Sequence, residues 1–286
     1  MVSVAARARL DAGVGGGDDK GCNNVYDKDY DKDYDVGMEV QQHLLVIVTL
    51  ALGGVLQGMM GFGFGLFTVP VLLYMGMKPH EAVMIMAIGS LSQSTFGVRH
   101  MRADVRWRKL VLPAAVLMVT VPVGVWLLGH VSAMDKTRYR QLFGCLLLCV
   151  LALMWLVRVK PRPHLHFSWA VLAATTSGIV GGLSGMGGPP MVLWVTAHTW
   201  TNRQIRSALL FQFVCFNPIQ ICALWLRFGS AVTNAMLLAL VCVPVVLLGS
   251  AVGLRLGHRL PEYVLRRVMM GLLTVIAAIG LLGPLL

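Results

Sequence analysis

Two apolar segments, residues 44–76 and 167–199, are 33 residues long each. As straight α-helices they would run about 50 Å, against a bilayer hydrocarbon core of about 30 Å. Both hold their glycines near the middle, in "GMMGFGFGLFTVP" (58–70) and "SGMGGPP" (184–190). Backbone at membrane depth leaves the helix only where it is buried in protein or lines a wet cavity. Each segment is therefore predicted to be a helix, a glycine turn and a second helix. Further apolar segments lie at 81–98, 110–129, 141–157, 207–226, 234–254 and 267–285, separated by polar or basic breaks such as "RHMRADVRWRK" and "RVKPRPH". The chain is 57% hydrophobic and 13% charged, where a soluble domain carries about 25% charged residues. The expected fold is an all-α polytopic protein of the cell membrane.

An offset of 124 residues lays "GVLQGMMGFGFG" (54–65) over "GIVGGLSGMGGP" (178–189). Gly54, Gly58, Gly61 and Gly63 then fall on Gly178, Gly182, Gly185 and Gly187, and Gln93 falls on Asn217. The membrane body reads as two tandem repeats, 38–160 and 161–286, each a long broken segment followed by three ordinary spans. Loop charges discriminate between topologies. If all eight segments cross, nine Lys/Arg lie on one side and ten on the other. If each long segment enters and returns as a hairpin, the repeats are inverted. Fourteen then collect on one side, around 99–109, 158–162, 203–206 and 255–267, against Lys78, Lys136, Arg138, Arg140 and Arg227 on the other. That bias fits the positive-inside rule and favours inverted repeats opening with re-entrant helix pairs, with both termini outside.

The net charge of +11 splits into −3 over residues 1–37 and +14 thereafter. The acidic tail repeats Asp-Lys-Asp-Tyr, lacks a signal-peptide core and is expected to remain disordered; Met38 is the expected natural start. The basic charges sit at span ends and form no nucleic-acid surface. Beyond residue 38 the carboxylates are Glu39, Glu81, Asp104, Asp135 and Glu262, all at or near span ends. No midplane acid is available to ligate a cation or carry a proton. A membrane-embedded enzyme is disfavoured, since no catalytic carboxylate pair, metal-spaced His/Cys set or nucleophile motif lies inside the membrane. No phosphate-binding glycine loop is present; no cofactor or metal is expected.

What remains suits a small anion. A half-helix starting mid-membrane points unpaired N–H groups and about half a positive charge at the midplane. Paired broken segments in matching repeats are the sequence pointer to a transporter's binding site. The candidate substrate-binding residues are Gly61, Gly63, Gly65, Ser184, Gly185, Gly187, Gly188 and Pro189, with Gln93 and Asn217 at matching mid-span positions. Ser92, Ser94 and Gln212 could add hydrogen bonds, although helix-to-helix bonding is an equal alternative for these polar residues. Arg99 and Arg227 read as snorkelling end residues, Arg206 as an orientation charge, Cys145 and Cys149 as filler, and His130 and His258 as caps.

The duplicated G-x-x-x-G-x-x-G-x-G segments, the "SGMGGPP" turn and the span layout resemble the sulfite exporter TauE/SafE family of permeases, also called the TSUP family, over about 44–285. The resemblance implies a secondary transporter with two related halves, moving sulfite, organosulfonates or related anions. The first half has Gly65-Leu66 where the second has Pro189-Pro190, so the two half-sites are not equivalent. A carrier of another inorganic or carboxylate anion and a non-transporting assembly subunit are the alternatives. The expected partners are a small anion and the lipid bilayer.

Overall fold

In a computed structural model of the chain, residues 40–156, 161, 162 and 165–259 are described, together with 271 and 274. The acidic tail, Met38, Glu39, Glu262, Arg158, Lys160, Arg266, Arg267 and the body of the 267–285 segment lie outside the described residues, as does the His258 side chain. The chain runs α1 (Val40–Met60), α2 (Phe64–Tyr74), α3 (Pro79–His100), a 3-10 turn (Arg102–Asp104), α4 (Trp107–Ser132), α5 (Lys136–Leu156), α6 (Phe167–Ser184), α7 (Gly188–Thr196), α8 (Asn202–Phe228), a second 3-10 turn (Gly229–Val232) and α9 (Thr233–Arg259). Among the described residues, the only bridge outside helices joins Arg162 and His198.

Five helical stretches here are long and apolar enough to cross a membrane: His43–Met60, Trp107–Ser132, Lys136–Leu156, Phe167–Ser184 and Asn202–Gly257, the last joining α8 and α9. Local chemistry starts several helices. Pro79 opens α3, and the Glu81 carboxylate accepts the Lys78 N–H at 2.9 Å. Thr201 and Gln204 cap α8 reciprocally, at 3.2 and 3.3 Å; such a box satisfies two N–H groups that the first turn leaves open.

Helix α3 is the centre of the bundle, packed on α2, α4, α8 and α9. Its residues Ala82–Ser90 are buried throughout. A helix enclosed by protein on all sides can carry polar groups that lipid would not tolerate, and α3 carries Ser90, Gln93 and Ser94 fully buried. Between apolar helices in a bilayer there is little hydrophobic drive, so close backbone approach does the holding. Two such approaches stand out. Gly54 and Gly58 of α1 lie against Val246 and Ser250 of α9, and Gly253 returns the contact onto Val55 and Gly58. In the same manner Gly178 and Gly182 of α6 lie against Thr120 and Val121 of α4, and Gly124 returns the contact onto Ile179 and Gly182.

Contacts sort the helix ends into two groups. In one, Arg140 donates to the Leu73 and Tyr74 carbonyls at 2.8–3.1 Å, His80 stacks on Phe228 and Gly129 packs on Arg227. In the other, Arg203 pairs with Asp104 at 2.8 Å, Lys109 lies over Trp200 and the Arg162 N–H donates to Ala197 O at 2.9 Å. Helices α3, α4 and α8 each run from one group to the other. The described carboxylates all lie at these ends: Glu81 in its cap, Asp104 on Arg203, and Asp135 within 3.7 Å of Arg138.

Candidate functional site

The first apolar segment loses its helix at Met60 and regains it at Phe64. Gly61 and Gly63 take φ of 84° and 107°, a region that a Cβ disfavours and glycine enters freely. The first bond of α2 runs from Phe67 N–H to Gly63 O at 3.1 Å. The N–H groups of Phe64, Gly65 and Leu66 are therefore the ones that a helix start leaves without an intrahelical acceptor. Phe64 is fully buried. Its ring occupies the room left by Gly53 and Gly89, where an added Cβ would come to 2.8 Å of it.

The second segment breaks between Ser184 and Gly188. Gly185 ends α6 in the left-handed conformation, φ 71°, and its N–H bonds Gly181 O at 2.7 Å, the usual glycine closure of a helix. Ser184 Oγ donates to Val180 O at 2.7 Å and accepts the Met186 N–H at 3.2 Å. Ser177 Oγ donates to Gly187 O. Gly187 has φ −71°, so its need for glycine is spatial: a Cβ there would strike Ser177 O and Gly181. Pro189 and Pro190 follow Gly188 in the first turn of α7. Proline has no N–H, so of these three positions only Gly188 can donate.

The two breaks meet. A Cβ on Gly65 would collide with Gly185 O, and one on Gly188 would sit 3.5 Å from Phe62 and 3.6 Å from Phe213. Buried amides stand on α1, α3 and α8. Gln57 Nε2 donates to Ser94 Oγ at 2.9 Å, and Gln93 Nε2 donates to Gln57 Oε1 at 3.1 Å. Gln220 Nε2 donates to Gly181 O at 2.8 Å. Gln93 Oε1, Gln212 Nε2, Gln220 Oε1 and both amide atoms of Asn217 are buried with no protein partner. A buried polar atom left unpaired costs about 1–3 kcal/mol, so native proteins satisfy nearly all of them with protein or water.

Of the candidates read from the sequence, Gly65 meets Gly185, Gly188 meets Phe62, and Gly187 packs inside its own turn. Gln93 and Asn217 stand on the central helices α3 and α8 and are both buried. Gln93 is tied to Gln57, which sequence reasoning passed over although it lies between Gly54 and Gly58. Ser92 bonds its own helix at Ile88 O, 2.9 Å. His130 bonds Trp126 O at 3.2 Å at the exposed end of α4. Arg206 departs from its reading as an orientation charge. It is 8% exposed, and its Nη2 donates to Gly58 O at 2.5 Å. Gly61 packs on it: an added Cβ would lie 3.1 Å from Arg206 Cα. The backbone of α1 reaches α8 there, which no local pattern around "TNRQIR" announces.

The model of the family described as "Sulfite exporter TauE/SafE" matches residues 45–279. A relative from Cupriavidus necator strain H16, described as "Probable sulfite/organosulfonate exporter TauE", is 25% identical over 234 residues, covering 80% of this chain and 90% of the relative. No solved structure matches. With the match spanning nearly the whole membrane body, and five stretches able to cross a bilayer, the chain is a multi-pass transporter of the cell membrane and belongs to the sulfite exporter TauE/SafE family.

Proposed function

We propose that this protein is a secondary transporter for small sulfur-containing oxyanions, sulfite or organosulfonates, and that they bind where the two glycine breaks meet. The observation that carries the reading is chemical. Buried neutral amides with unpartnered atoms lie on α3 and α8, the helices that pack on α2 and α7 after the two breaks, and every described carboxylate is held at a helix end. Among the unpartnered amide atoms, Gln212 Nε2 and Asn217 Nδ2 are donors suited to oxyanion oxygens, and no described acid lies away from the helix ends to repel an anion. The open N–H groups of Phe64, Gly65 and Leu66, at the positive end of α2, are the richer backbone donor set. Gly188 supplies the α7 side, while Pro189 and Pro190 hold that turn rigid without donating. Gln212 and Asn217 add side-chain donors, while Gln93 gives its Nε2 to Gln57. The name of the Cupriavidus relative agrees in substrate class.

The same reading includes inverted repeats with re-entrant helix pairs. Arg140, at the start of α5, binds the last carbonyls of α2. The end of α7 lies instead with Arg162, in the opposite group of helix ends. Short helices leaving toward opposite faces are what two inverted hairpins require. With the buried Arg206 set aside, the remaining 13-to-5 charge bias favours a cytoplasmic Arg203 end.

Flux in proteoliposomes tests the function. Labelled sulfite and an alkylsulfonate are expected to move down their gradients, and an equal load of a carboxylate such as acetate to move much more slowly. Carboxylate flux matching or exceeding sulfonate flux would make the protein a carrier of a different class. No flux of any anion would make it an assembly subunit.

A further inference from the structure

Among the described residues, Arg206 is a buried cation with no carboxylate partner. It is 8% exposed, its Nε is buried without a partner, and its hydrogen bond is to a neutral carbonyl, Gly58 O. The two ion pairs among the described residues are Arg138–Asp135 and Arg203–Asp104. Asp104, the described acid on that end, is therefore already engaged by Arg203, one helical turn before Arg206. Three helices enclose the guanidinium: α8 carries it, α1 supplies Gly58 O and the Gly61 turn, and α9 brings Gly257 to 3.2 Å of Nη1, measured from an added Cβ.

A buried charge is ordinarily paired, because desolvation is not recovered otherwise. The C-terminal dipole of α1 offsets part of this charge, being worth about half an elementary charge; the remainder has no partner among the described residues. The device also exists on one side only. The 124-residue offset lays Arg206 over Ala82, which is fully buried and uncharged.

We propose that Arg206 is a substrate-binding residue, taking the translocating oxyanion as the counter-charge it lacks beside the Gly61 turn, at the Arg203 end of the bundle. This rests on the reading of the protein as an oxyanion carrier. A guanidinium presents several fixed N–H groups, so it can keep Gly58 O while engaging sulfonate oxygens. The alternative is that Arg206 only closes the end of α1. The two roles separate by substitution, because Gln and Lys can both still donate to Gly58 O.

The test is thermal stabilisation of the purified full chain by sodium sulfite and by methanesulfonate, against sodium chloride at equal ionic strength, with Kd taken from the concentration dependence of Tm. The wild type is expected to show saturable stabilisation by at least one sulfur oxyanion. Arg206→Gln is expected to lose it, with Kd raised by more than about tenfold, and Arg206→Lys to fall between, since it keeps the charge without the planar fork. A shifted baseline Tm with unchanged Kd in Arg206→Gln would reduce Arg206 to a cap and overturn the proposal. If the Gln variant fails to insert, Arg206→Lys carries the test, and an unchanged Kd there overturns the proposal equally. A wild type that binds no sulfur oxyanion would defeat the functional reading itself, and this inference with it.

Discussion

Asn217 has neither amide atom paired although it is fully buried. A side chain retained for packing alone would serve better as a leucine, since exchanging an unpaired polar group for an apolar one of similar size is neutral or stabilising. Asn217→Leu is therefore expected to leave Tm unchanged or slightly raised while oxyanion flux falls by about tenfold or more, a loss of ~1.4 kcal/mol in recognition. Gln57→Leu is the contrasting change. It strips partners from Ser94 and Gln93 and should lower stability by about 1–3 kcal/mol. Equal flux in Asn217→Leu and wild type, at matched amounts of inserted protein, would remove Asn217 from the site. Gly188→Val makes the same distinction on the backbone. An added Cβ meets ordinary contacts at 3.5–3.6 Å, so the variant should insert. The branched side chain then fills the space beside Phe62 and Phe213, and flux should be lost. Cys145, exposed on α5, is the control: its alanine variant should change stability by less than about 0.5 kcal/mol.

Helices associate here through glycine faces. The α4–α6 contact puts Gly124 and Gly182 backbone to backbone, and a Cβ on Gly182 would collide with Val121 O. The α1–α9 contact repeats this at Gly58 and Gly253. Under the proposed repeat, each broken segment is thus braced by a helix of the other half, and neither half completes its packing alone. Gly182→Leu should force α4 and α6 apart and destabilise the fold by about 1–3 kcal/mol or more, as overpacking does. The change should appear as a lower Tm and reduced yield from the membrane, with Kd for sulfite little altered in the protein that survives. A large loss of affinity with normal Tm would show instead that this face shapes the site.

For the molecule as a whole, the proposed inverted arrangement makes a prediction about sides. Lys78 precedes α3 at the Arg140 end, and Arg203 begins α8 beside Asp104. Helix α3 has 22 residues, about 33 Å at 1.5 Å per residue, enough to span the hydrocarbon core. Single cysteines at Lys78 and Arg203 are expected to react with a membrane-impermeant thiol reagent from opposite sides, Lys78 from outside. Labelling of both from one side would rule out the inverted hairpins and restore eight full crossings.

Sequence alone determined where the long segments break, because the causes are local. A 33-residue apolar run overshoots a bilayer, Gly61, Gly63 and Gly185 admit positive φ, and Pro189-Pro190 suits the first turn of a new helix. The placement of Glu81, Asp104 and Asp135 at helix ends was legible for a similar reason, since a carboxylate inside an apolar run is too costly to keep. Tertiary structure alone decided what those breaks touch. The collision course of Gly65 with Gly185, the bonding of Gln93 to Gln57 and the burial of Arg206 beneath Gly58 O join residues 36 to 148 positions apart. Nothing in "TNRQIR" distinguishes a loop arginine from a buried one. What makes Arg206 buried is the glycine-lined approach of α1, α8 and α9, a product of packing between distant helices rather than of any local preference.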